Sequence, residues 1–375
     1  MPATRVLLAG AGHANLLVLA DLCRRPDPTL DVTVVSPETH PIYTGMLPGV
    51  VAGHYPVGLS EIDVPALAAR AHARFEPGAL AGIDLQTRIA QLADGTHEPF
   101  DVLALDVGTV PDPSLPGASQ AIAVKPPRAF LAAWRNIEID AAERRIRTIA
   151  VVGGGAAGVE MILAMQYRLA STLGDNAPRF VLLSDQAQLL PSHARNARRL
   201  LGRVLVSRGI VVRLGTPAIG IGDNAVVTAG HSRIAAERIV LATSGSAPAW
   251  LRDTGLACDD AGLVRIDARL QSVSHPFVFA VGDCAVRDDG SSRPGGARAV
   301  REARPLAENL RRYGAGRTLV THRPLRTMLA LVGTADCRAV ASWGPLAAEG
   351  TWAWKWKDRL DRRYVGRFRA LSVPR

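Results

Sequence analysis

Lysine is nearly missing from this chain. Of 44 basic residues among 375 only three are lysines, Lys125, Lys355 and Lys357. An arginine- and alanine-rich composition of this kind reflects GC-rich coding more readily than a nucleic-acid surface, and the placement of charge says the same. The net charge is +10, and residues 351–375 carry eight basic and two acidic groups, a surplus of six. The rest of the chain is nearly balanced, which argues against a nucleic-acid binder. Cysteine is sparse too: Cys23, Cys258, Cys284 and Cys337 stand far apart and form no CxxC pair. That argues against a zinc site or a disulfide framework and fits a reducing, cytoplasmic compartment. No histidine belongs to a metal-spaced cluster, so no metal is assigned. No apolar run approaches the length of a membrane span, and no secretory signal pattern opens the sequence.

What is present is a globular composition, 48% hydrophobic and 21% charged, at a length that implies two or three domains. Two stretches share one design. The first, TRVLLAGAGHANLLVLADLC, reads as a buried strand over Arg5–Ala9, a tight turn, and a helix from about His13 to Cys23. Gly10 permits the turn, and Gly12 lets the backbone approach a pyrophosphate. The free amides and partial positive charge of the helix N-terminus then face the phosphates. Asn15 stands where a third glycine is usual. The strand DVTVVSPE follows, and Glu38 or Ser36 is the candidate for the adenosine ribose; a solvated turn glutamate is the alternative reading of Glu38.

The second stretch, RTIAVVGGGAAGVEMILAM, completes GxGxxG with Gly153, Gly155 and Gly158, between a strand over Thr148–Val152 and a helix from about Ala156. The next strand, RFVLLSD, ends at Asp185, placed to bond the free ribose hydroxyl of NADH. Arg195, Arg198 and Arg199 downstream offer the alternative of a 2′-phosphate, hence NADPH, or are solvated helix residues. Both copies predict Rossmann-like α/β units.

A third element, HPFVFAVGDCA, is an apolar strand ending in Gly282 and Asp283. With it the chain resembles the two-dinucleotide flavoproteins of the pyridine nucleotide-disulfide oxidoreductase superfamily, over residues 4 to 320. The segments FDVLALDVGTVP and ERIVLATSGSAP, ending at Gly108 and Gly245, match the superfamily's linking strands. The resemblance implies two doubly wound, three-layer units. An FAD unit would span residues 1–115 and 255–320, an NAD(P)H unit 116–254, and a C-terminal segment 321–375. The region after the second strand, SPETHPIYTGMLPGVVAGHY, has no CxxxxC pair, so a glutathione- or lipoamide-type reductase is not expected. THPIYTGMLPGVVAG instead resembles type II NADH dehydrogenases and sulfide:quinone oxidoreductases. GAGHAN, VKPPRAFLAAW and WKWKDRLDRRYVGRF resemble most closely a group of NADH-dehydrogenase-like flavoproteins, some fused to selenide, water dikinase.

The resemblance implies FAD as cofactor, hydride transfer from NADH or NADPH to flavin N5, and electron delivery to a quinone or another small acceptor. Reduction or oxidation of a sulfur or selenium species by a soluble flavoprotein is the alternative. Asp283 would bond the ribityl chain and Glu160 would lie near the nicotinamide, with an ordinary helix N-terminal glutamate favoured by the macrodipole as the alternative for Glu160. Tyr43 to Pro48 would line the flavin, although Met46 and Leu47 are equally good core residues. Lys125 would stabilise reduced flavin at N1–O2, with a solvated residue before a Pro-Pro turn as the alternative. His13 is a further cofactor contact. A glycine-rich turn and a helix over about Ala297–Tyr313 would aim amides at the same flavin edge, or form a packing helix that caps the FAD unit. Cys284 reads as a buried structural cysteine.

Near the end, Thr327–Ser342 alternates like a short hairpin. Trp352, Trp356, Leu360, Tyr364 and Phe368 then recur every four residues, read as one aromatic stripe flanked by Lys355, Arg359, Arg362, Arg363 and Arg367. Such a helix suits an anionic membrane surface, peripherally on the inner face of the cytoplasmic membrane, or packs on the protein. A second copy of the chain is a further candidate partner.

Overall fold

The computed structural model describes every residue except 1, 112–113, 244, 291–295, 326 and 373–375. In chain order the elements that place the site begin with β1 (Thr4–Ala9), α1 (His13–Arg24), β2 (Leu30–Ser36), β3 (Arg74–Pro77) and β4 (Val102–Leu105). Next come α2 (Pro127–Ala142), β5 (Thr148–Val152), α3 (Ala156–Leu173), β6 (Arg179–Leu183), α4 (Arg195–Ser207), β7 (Val211–Arg213) and β8 (Arg238–Leu241). Then β9 (Val278–Ala280), α5 (Gly296–Gly314), β10 (Ala330–Gly333), β11 (Ala339–Trp343), β12 (Leu346–Gly350) and α6 (Thr351–Ser372).

Two five-stranded parallel sheets result. One runs β9-β4-β1-β2-β3, and the other β7-β6-β5-β8 with a two-residue edge at Ile122–Ala123. The fingerprint strands are central in both, which is why they are apolar on both faces: Val6, Leu7, Leu8 and Ala9, and likewise Ile149, Ala150 and Val151, are almost wholly buried. The late strand β9 returns to the first sheet, with Val278 opposite Leu103 of β4. The segments after β4 and β8 meet in an antiparallel bridge, with reciprocal amide–carbonyl bonds between Val110 and Ser246 at 2.9 and 3.0 Å. The chain leaving the C-terminal end of one sheet is therefore tied to the chain leaving the other, and the C-terminal ends of parallel strands are where α/β folds bind ligands.

The C-terminal segment departs from expectation twice. The hairpin is a three-stranded antiparallel sheet, because Leu346–Gly350 pairs back on β11. LAAEG has no β-branched residue and no turn signal before the helix, so its strand character comes from tertiary pairing. The aromatic stripe also divides. Trp352, Trp356 and Leu360 are 49%, 42% and 45% exposed, whereas Tyr364 and Phe368 are 7% and 0%. Four residues turn an α-helix through about 400°, so a strict four-residue repeat drifts about 40° per step and about 160° over sixteen residues. The two ends of the stripe thus lie on nearly opposite faces.

The second and third glycines of the second fingerprint are required for different reasons. A Cβ on Gly158 would collide with the carbonyl oxygen of Gly153, whereas one on Gly155 would meet nothing within 4 Å. Gly158→Val should therefore cost about 1–3 kcal/mol by overpacking, while Gly155→Ala should change stability by less than about 0.5 kcal/mol yet weaken NADH binding. Urea melts and NADH titrations of both variants check this; equal destabilisation by the two would contradict it.

Candidate functional site

Each fingerprint closes on a left-handed glycine, Gly10 at φ 91° and Gly153 at φ 131°, and the following helix starts at Gly12 or Gly155 with no side-chain cap. Uncapped amides at a helix start are an anion site. At α3 the space beside Gly155 is open, a cradle that fits a dinucleotide diphosphate. Asp185 lies just beyond β6 and accepts a hydrogen bond from Gln186 Nε2 at 2.8 Å. Arg198 of α4 bonds Gln188. At α1 the amides of Ala14 and Asn15 donate to Asp106 Oδ2 at 2.7 and 3.0 Å. Asn15 explains the missing third glycine: its Nδ2 donates to the carbonyls of Ala9, Gly10 and Ala104, and its buried Oδ1 has no partner. Ser36 is buried at the end of β2, accepts from the Glu38 amide and donates to the Glu38 carbonyl at 3.2 and 3.1 Å. Burial raises the Glu38 carboxyl, partly offset by Arg128.

Gly282, Asp283 and Cys284 form a 3-10 turn after β9, with Gly282 left-handed at φ 67°. Lys125 Nζ donates to Asp283 Oδ2 at 2.6 Å. Lys125 is thus paired with the aspartate while its side chain stays 46% exposed, as the reading of a solvated residue before a Pro-Pro turn also expects. Behind them the Gly282 amide donates to Glu302, which is paired with Arg298 inside the core. Cys284 is fully buried, and burial pushes its thiol up to about 12, so it is a packing residue with no thiolate at neutral pH. The glycine-rich turn before α5 lies outside the described residues; the helix itself begins at Gly296. Met46 and Leu47 are both core residues, at 0% and 2% exposure. Gly108 is left-handed at φ 68° with open space beside it, while a Cβ on Gly245 would meet the Val110 carbonyl at 2.5 Å.

The inner face of α6 covers this cleft. Tyr364 stacks on Tyr43 at 4.4 Å between ring centroids and its hydroxyl donates to the His13 carbonyl at 3.4 Å. Tyr43 OH donates to Asp361 at 3.2 Å, and Tyr55 OH to Asp358 at 2.7 Å. The His13 ring lies edge-on to Tyr43, and desolvation pushes it down to about 4, so it is neutral at physiological pH. At the centre is Lys357. Its Nζ donates to Asp361 Oδ2 at 2.8 Å and to the Gly45 carbonyl at 2.7 Å. Desolvation pulls Lys357 down, but Glu160 and Asp361 outweigh it and the net direction is up. Glu160 accepts from the Gly333 amide at 2.7 Å, and burial raises its carboxyl against the opposing field of Lys357. Asp106, Lys357 and Asp361 are the residues that sequence reasoning missed. The signal was there: an acid ends an apolar strand in LALDVG, and a rare lysine sits four residues before an aspartate on α6.

Comparison with known proteins agrees with this architecture. The profile of the pyridine nucleotide-disulphide oxidoreductase family matches residues 4–307. An NADH dehydrogenase-like protein of Mycobacterium tuberculosis is 27% identical over 307 residues, covering 75% of this chain and 73% of its own. A type II NADH:quinone oxidoreductase of Haemophilus influenzae is 28% identical over 174 residues, 43% of this chain and 39% of its own. Among solved structures, the sulfide:quinone oxidoreductase of Aquifex aeolicus shares the fold with a TM-score of 0.84 at 15% identity, covering 98% of this chain and 92% of that one.

Lys357 is the cation between two enclosed carboxylates, so Lys357→Ala leaves both without their counter-charge and should cost about 3 kcal/mol or more. Adding Glu160→Gln should recover part of that loss. A double-mutant cycle in urea reads the coupling; additive effects would show that the two groups do not interact.

Proposed function

The chain belongs to the pyridine nucleotide-disulphide oxidoreductase family as an FAD-dependent NAD(P)H dehydrogenase, type II NADH dehydrogenase-like, and from that premise we propose that it passes electrons from NADH to a quinone at a membrane surface. The observation that carries the acceptor is the double face of α6. Its inner side walls the cleft through Tyr364, Lys357 and Asp361, while its outer side exposes Trp352, Trp356 and Leu360 between the exposed Lys355, Arg359 and Arg363. Exposed tryptophans among cations suit an anionic lipid interface, where each basic group contributes about 1 kcal/mol. Trp343 and Leu346, 59% and 64% exposed at the β11–β12 turn, add apolar area in the same segment. No helix among the described residues is long and apolar enough to cross a membrane, so contact would be interfacial.

When bound, FAD takes a hydride from the nicotinamide and gives electrons to the second substrate. The roles that follow are those we assign to this chain's residues. The first fingerprint holds FAD through Gly10, Gly12, His13 and Asn15, with Ser36 or Glu38 toward the adenosine ribose. Asp283 receives a ribityl hydroxyl, and Lys125 fixes the carboxylate that does so. Gly155 leaves room for the NADH diphosphate, and Asp185 accepts from its ribose hydroxyls. Glu160 stands toward the nicotinamide, its carboxyl raised by burial against the opposing field of Lys357. Tyr43 and its stacked partner Tyr364 form the wall on the acceptor side. The domain limits anticipated above follow from the same assignment. Reduction of a sulfur or selenium species finds less support: the four cysteines are all free, and Cys284 beside Asp283 is buried.

Anaerobic titration of the yellow protein with NADH should bleach the flavin at one equivalent, and a water-soluble quinone should restore the colour. Unbleached flavin would refute the dehydrogenase reading; restoration by selenite or persulfide but not by quinone would refute the acceptor. Replacing Trp352, Trp356 and Leu360 by serine should abolish sedimentation with anionic liposomes without lowering reduction of a soluble quinone. Unchanged sedimentation would refute the membrane surface. Deleting residues 351–375 is the poorer test, because Tyr364 and Phe368 belong to the core.

A further inference from the structure

The two fingerprints differ at one matched position. Ala242 follows β8 and Asp106 follows β4, and each amide donates at 2.8 Å to the last carbonyl of its fingerprint strand, Val152 or Ala9. Beyond that shared frame the side chains diverge. The methyl of Ala242 packs toward Gly158, and nothing stands over the start of α3 at Gly155. The carboxylate of Asp106 instead reaches the start of α1 and takes the amides of Ala14 and Asn15. A Cβ on Gly12 would collide with both of its oxygens, and one on Gly282 would meet Oδ1 at 2.8 Å. The slot that is open in one unit is filled by a carboxylate in the other.

We propose that Asp106 is a proton-linked holder of the flavin site: as a carboxylate it binds the amides of α1, and it takes up a proton when the FAD diphosphate comes to that helix start. The inference rests on the reading that the first fingerprint holds FAD. Two anions cannot share one set of buried amides while both are ionised. The diphosphate diester does not protonate near neutral pH, so the carboxyl is the group that yields. Its surroundings favour this. Asp283 on the turn after β9 and Glu302 on α5 face it as like charges, and their cations, Lys125 and Arg298, are bonded to those two acids rather than to Asp106. Burial pushes Asp106 up to about 7 in spite of the two amides. The other facing groups titrate elsewhere: His13 of α1 is pushed down to about 4, the Cys284 thiol up to about 12, and the Tyr364 hydroxyl of α6 well above its usual range.

The sign follows from linkage. Below the pKa of Asp106 the proton is already bound, and FAD affinity should not depend on pH. Above it, binding must capture a proton, and the dissociation constant should rise about tenfold per pH unit. The test takes the purified flavoprotein, dilutes it at pH values from 5.5 to 8.5 and reads released FAD by its fluorescence. The wild type should lose flavin increasingly above neutrality, whereas Asp106→Asn should retain it with a flat profile. A flat wild-type profile, or an unchanged slope in Asp106→Asn, would overturn the proposal. If Asp106→Asn does not fold, the wild type still decides: displacing FAD in weakly buffered solution at pH 8 should release up to one proton per flavin, and no release would overturn it. A preparation that carries no FAD at all would sink the flavoprotein reading instead.

Discussion

One cation holds three parts of this molecule in register. Lys357 extends from α6 to the Gly45 carbonyl in the loop after the second strand, pairs with Asp361 of its own helix, and lies in the field of Glu160 on the fingerprint helix of the other unit. Gly333 of the small C-terminal sheet donates to the same Glu160. An enclosed lysine is costly unless it is paired, and here its partners come from both dinucleotide-binding units and the C-terminal module. The chain has only three lysines, and a second, Lys125, performs a similar office at Asp283. At the Lys357 junction a compact point charge with three donors suits the convergence of several acceptors.

The paired fingerprints show how one local design is adapted by compensating changes. In the second, Gly158 and Ala242 are both small, and the helix packs directly on the strand. In the first, Asn15 and Asp106 are both polar, and the gap between helix and strands is bridged by hydrogen bonds: Asn15 to three carbonyls, Asp106 to two amides. Either solution closes the βα turn. Mixing them would not, because an asparagine opposite Ala242 would lack space and a glycine opposite Asp106 would take from the Gly10 carbonyl the side-chain amide that bonds it. The departure from GxGxxG at Asn15 is therefore matched by a departure ninety residues later, and the two are best read together.

Local patterns carried the fold further than they carried the site. Strand, turn and helix of both fingerprints were legible because glycine spacing and continuous apolar runs are local signals; α1 and α3 begin at His13 and Ala156, as read. So was the buried, inert character of Cys284. The carboxylate at the start of α1 was not legible, since it acts on amides 91 and 92 positions away. Lys125 was read only through the flavin it would touch, and its bond to Asp283, 158 positions away, was not legible. The aromatic stripe failed for a geometric reason. A repeat of four looks like one face in a short window but winds around the helix over four turns.

That winding has a functional consequence. Because the row drifts, a single helix presents tryptophans outward at its first turns and tyrosine and phenylalanine inward at its last. A helix built this way joins its exposed outer surface to the residues of the candidate site. The residues that meet the outer surface and those that wall the cleft beside His13 and Tyr43 belong to one rigid element, fixed at its middle by Lys357 and Asp361. On the proposed membrane reading, docking and the geometry of the acceptor wall would be one event, joined at Lys357.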